Sequence, residues 1–93
     1  MNKQDKPQNL DKQILRGKQA SILLDEPLLK EAFEYLFEAY RNEIFKTSYS
    51  DHEQRQVLWM AYNMLDKIKG HLTSVMETGK LAAVELDNLK RQS

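Results

Sequence analysis

The 93 residues carry 14 basic and 14 acidic side chains, with 41% apolar residues and no cysteine. A chain this short buries little more than ~60% of the surface it exposes when unfolded, and without cysteine neither a disulfide framework nor a thiolate metal site can reinforce its core. The longest apolar run, Leu58 to Tyr62, is far below the ~20 residues of a spanning helix, and the opening residues lack a signal peptide's apolar stretch; a cytosolic or particle-packed protein with no membrane partner is expected. Three glycines, two prolines and few β-branched residues favour helix.

In chain order, residues 1–9 are polar, contain Pro7 and show no apolar period, which predicts a disordered basic arm. A single helical domain is expected over 10–93. Leu10, Ile14, Leu15, Ile22 and Leu23 predict a short first helix over about 10–24. Asp25-Glu26-Pro27 then supplies an acidic cap and a first-turn proline, opening a second helix over about 27–46. Its apolar stripe is Leu29, Phe33, Leu36, Tyr40 and Ile44, with Glu31, Glu34 and Glu38 opposite.

Ser50-Asp51-His52-Glu53 matches a capping box and predicts a third helix over about 51–91. Its stripe, Leu58, Ala61, Leu65, Ile68, Leu72, Val75, Gly79, Ala82, Leu86 and Leu89, alternates steps of three and four without a slip. That unbroken phase predicts helix through Gly79. The fold class expected is all-α: a helical hairpin with one long C-terminal amphipathic helix, preceded by a short N-terminal helix. The second helix covers only half of the third, so Val75 to Leu89 must be covered by the first helix or by a neighbouring subunit. An oligomer interface is accordingly expected at Leu65, Ile68, Leu72, Val75, Ala82, Leu86 and Leu89, with Leu72→Asp disruptive and a change at Lys69 harmless.

Catalytic signatures are missing. The sequence has no Gly-rich phosphate loop, no cysteine nucleophile and no His-Glu-x-x-His pattern. Neither His52 nor His71 has a carboxylate three residues earlier, and His71 reads as a partly buried polar residue. No enzyme activity, cofactor or metal site is expected. Two binding surfaces are candidates. Lys3, Lys6, Lys12, Arg16 and Lys18 concentrate positive charge before residue 20, and could contact nucleic acid if several copies converge. Tyr35, Phe37 and Trp59 lie partly off the main stripes and form a candidate partner patch.

Arg16-Gly17, Ala20, Leu23-Leu24, Pro27-Leu28, Glu31-Ala32-Phe33, Leu36, Tyr40, Thr47, Asp51, Glu53, Arg55, Leu58-Trp59, His71-Leu72 and Gly79-Lys80-Leu81-Ala82 together resemble a group of small proteins of tailed bacteriophages and prophages. The resemblance spans about residues 16–83 and rests on packing and capping positions. It implies a role in virion assembly or DNA packaging for the homo-oligomer that the length mismatch predicts, in the host cytoplasm or the virion, alongside phage structural or packaging proteins and in some settings DNA. A multimerising hairpin is similar to the oligomerisation core of phage small terminase subunits, although the separate N-terminal DNA-binding domain of that pattern is missing here. The alternatives are a nucleic-acid-binding accessory factor using the basic arm, and a host-directed effector that binds a bacterial protein.

Overall fold

The computed structural model describes residues 5–92 and, among them, contains three α-helices and no strand. They are α1 (Asp5–Asp25), α2 (Pro27–Lys46) and α3 (His52–Gln92). The all-α class and the long last helix are as the sequence predicts, and α3 runs through Gly79 without interruption. No helix among the described residues is long and apolar enough to cross a membrane.

The chain divides into two compact units rather than one domain. The first unit joins α1 to the part of α3 from His71 onward; the second spans Glu26 to Gly70 and joins α2 to the first half of α3. The reason is length: α3 has 41 residues, α1 has 21 and α2 has 20, so each shorter helix can cover only half of it.

In the first unit α1 starts at Asp5, so residues 5–9 of the expected arm are helical and α1 is no shorter than α2. Pro7 sits in the first turn, where a missing N–H costs no hydrogen bond. Leu10 is buried, and Lys6 Nζ lies 2.8 Å from Glu85 Oε1, so packing and charge both hold this early turn. The two helices meet at Gly17 and Gly79. A Cβ built on either glycine would fall 2.8 Å from the Cα of the other, so the backbones touch where side chains normally intervene. Ala20 and Ala82, both buried, extend this seam of small residues.

In the second unit Glu26 caps α2, its carboxylate accepting the Leu29 N–H at 2.8 Å, and Pro27 takes the first turn. Phe33 is the buried anchor, and Phe37 packs against it at 6.4 Å and edge-on to Tyr62 at 5.2 Å. The turn into α3 differs from the capping box. Asp51 supplies the first acceptor of α3, to Arg55 N–H, while its carboxylate accepts from the Ser48 backbone N–H and from Ser48 Oγ at 2.8 Å. Ser50 Oγ turns back to Ser48 Oγ at 3.1 Å instead of forward to the helix. Arg55 then ties the turn to both helices, donating from Nε to Thr47 Oγ1 at 3.0 Å and from Nη2 to the Ser48 carbonyl at 2.6 Å.

Candidate interaction surface

In the second unit the inward positions of α2 are Leu29, Phe33, Phe37, Tyr40 and Ile44, and those of α3 include Leu58, Tyr62 and Leu65. One residue later along a helix is a turn of about 100° to one side, and one residue earlier is the same turn to the other. The later positions Glu34, Glu38 and Arg41 of α2 and Asp66 of α3 line one groove of about 530 Å³ together with Phe37, Tyr62 and Lys69. The later flanks of both helices therefore share one side of the unit, charged at this groove and aromatic nearer the turn, where Phe45 and Trp59 are exposed.

The earlier flanks must share the opposite side. On α2 these are Leu28, Ala32, Leu36 and Ala39, with Tyr35 at the outer edge. On α3 they are Val57, Met60, Met64 and Ile68, which are 64, 62, 59 and 54% exposed. Neither run contains a charged residue, but Glu43, one residue before the inward Ile44, is the next position on the α2 flank and closes its apolar run. Large side chains this open, consecutive at steps of three and four, make a contiguous apolar face rather than scattered surface residues. Glu53 and Lys46 lie just beyond it on the two helices.

The residues singled out from sequence distribute differently. Of the seven expected at an oligomer interface, Leu65 is half-buried in the second unit, and Leu72, Val75, Leu86 and Leu89 are half-buried and Ala82 buried in the first. The C-terminal stripe is thus covered by α1 of the same chain, and the length mismatch no longer requires a neighbour. Ile68 alone of the seven is mainly exposed. The control position also moves, because Lys69 Nζ stands 5.8 Å over the Phe37 ring and is not an idle surface residue.

Tyr35, Phe37 and Trp59 do not form one patch. Phe37 and Trp59 both pack on Tyr62, Trp59 at 5.7 Å, whereas Tyr35 is two residues from Phe37 and so nearly opposite it around α2. Of the basic set, Lys3 lies outside the described residues. Lys6 is paired with Glu85; Lys12 and Arg16 are exposed one turn apart on α1, and Lys18 lies well round the helix from them. Of the four described residues, only Lys12 and Arg16 share a face. Deleting residues 1–18 would also strip Leu10 and Gly17 from their seam, so DNA contact is better tested with Lys12→Gln and Arg16→Gln together. Loss of salt-sensitive retention in that variant, with helix content intact, would support a DNA role.

His71 is exposed, not half-buried, and lines a groove of about 260 Å³ in the first unit with Gln13, Arg16, Ser74, Val75 and Thr78. Among the described residues no three His, Asp or Glu side chains gather as a metal site would require. No family model, curated protein or solved structure matches this chain.

What reading the sequence missed is the pairing of the two earlier flanks. The signal was present as the series Val57, Met60, Met64, Ile68 beside the stripe of Leu58, Ala61 and Leu65. On α3 alone the two merge into one broad apolar sector. They separate only when α2 is seen to occupy one part of it.

Proposed function

We propose that this chain is a non-enzymatic helical assembly protein that works by burying the apolar face of its second unit in a helix–helix contact. The observation that carries this reading is the uncharged face of Val57, Met60, Met64 and Ile68 beside Leu28, Ala32, Leu36 and Ala39, backed by a charged groove on the other side of the same helices. The setting we propose is head assembly or genome packaging in a tailed phage, the role that the resemblance implies.

The test is the size of the complex in producing cells. Tagged wild-type chain should migrate in a native separation well above its own mass, together with head or packaging components. Met64→Asp combined with Ile68→Asp should migrate alone while keeping its helical circular dichroism. Unchanged migration of the double variant would refute this use of the face.

A further inference from the structure

We infer that the occupant of the apolar face is a second copy of this chain, placed so that α2 of each copy lies across α3 of the other. The inference rests on the assembly reading and adds to it the partner and the pairing.

Size comes first. A stable interface takes about 800 Å² from each partner, and Leu28, Leu36, Val57, Met60, Met64 and Ile68, 38–70% exposed, are the large apolar side chains of the face that supply it. A face-to-face dimer covers all six in one contact. Net charge is zero, so two copies meet without overall repulsion.

Shape then selects the pairing. Phe37 stands against Tyr62, and the turn at residues 47–51 makes α2 and α3 antiparallel, so one step back along α2 matches one step forward along α3. Ala39 is thereby level with Met60, Leu36 with Asn63 and Met64, and Ala32 with Lys67 and Ile68. A two-fold axis parallel to the helices keeps these heights while setting α3 of one copy on α2 of the other. Met60 then faces Ala39 of the second copy, and Ile68 faces Ala32 of the second copy. Large side chains enter the spaces left by small ones, as close packing requires. The alternative, α3 on α3 and α2 on α2, would set Met60, Met64 and Ile68 against each other and leave Ala32 and Ala39 facing alanine.

Charge agrees. Lys46 and Glu53 are at one height on the border of the face, both exposed, and Lys46 has a long in-chain contact of 3.7 Å to Glu43, which lies on the same border. In the crossed arrangement Lys46 of each copy reaches Glu53 of the other, twice by symmetry. Stacking α3 antiparallel on α3 would not bring these two together.

The experiment uses the full-length chain alone. Light scattering should give the mass of two chains, and Met64→Asp with Ile68→Asp should halve it without loss of helix. The sequence has no cysteine, so single cysteines report pairing cleanly. A mixture of Ala39→Cys and Met60→Cys chains should form a mixed disulfide dimer on oxidation, and Met64→Cys alone should remain unlinked. A two-chain mass with Met64→Cys self-linking and no mixed product would overturn the crossed pairing. A one-chain mass at every concentration would overturn the second copy as occupant. If that purified monomer still entered a large complex in cells, the assembly reading would stand with a different partner. If it did not, both would fall.

Discussion

Three glycines lie within helices, and their surroundings give them opposite roles. Gly17 and Gly79 each occupy the only space the other leaves, so a methyl group on either must push two backbones apart. Gly17→Ala or Gly79→Ala should cost about 1–3 kcal/mol, the range for overpacking a tight contact. Gly70 has nothing within 4 Å of where its Cβ would be. Gly70→Ala should therefore add about 1 kcal/mol, the helix propensity that glycine forgoes. Urea unfolding of the three single variants checks both signs, and destabilisation by all three would mean that the contact at Gly17 is not the reason. Arg55 is the other residue whose effect exceeds its exposure. Arg55→Ala removes both bonds across the turn and should lower stability by about 1–2 kcal/mol, whereas Arg55→Lys should recover only part because one ammonium cannot reproduce the fork.

At the level of elements, the sequence displayed what local chemistry controls. Glu26 and Pro27 mark the start of α2 because a cap and a first-turn proline act within one turn, and the unbroken phase of α3 carried the helix through Gly79. Pro7 misled because its composition reads as a loop, while Leu10 and the Lys6–Glu85 pair, which draw the first turn into helix, are contacts distant in sequence. Ser50 misled in a smaller way. Asp51 is an equally good cap one residue later, and its carboxylate prefers Ser48. The candidate face was the least legible part, since periodicity shows which positions of one helix are apolar but not which of them a neighbour has covered. Leu72→Asp against Asn63→Asp tests the corrected assignment. Leu72 is half-buried and should lose about 3 kcal/mol, while exposed Asn63 should change by less than about 0.5 kcal/mol, both read from thermal melts.

For the molecule as a whole, stability and association are linked. Among the described residues only Leu10, Ala20, Phe33 and Ala82 are buried apolar side chains, a small core for a chain of this length. If a second copy completes that core, the melting temperature of the wild type should rise with protein concentration, and that of Met64→Asp with Ile68→Asp should not. A concentration-independent melt in both would indicate that each chain is stable without its copy. Salt should weaken the association only modestly, because the centre of the face is apolar and its charges, Glu43, Lys46 and Glu53, lie at one border.

The meeting of α1 with the far end of α3 carries a consequence for ancestry. A joint that admits one residue type on both sides cannot drift at either position unless the two helices separate, while almost every surface position around it is free to change. Descendants of this sequence can therefore diverge until ordinary similarity is lost and still keep one glycine on the opening helix, another late in the closing helix, and an alanine three residues beyond each. That four-point signature, Gly17 with Ala20 and Gly79 with Ala82, should outlast the rest of the chain as a mark of kinship.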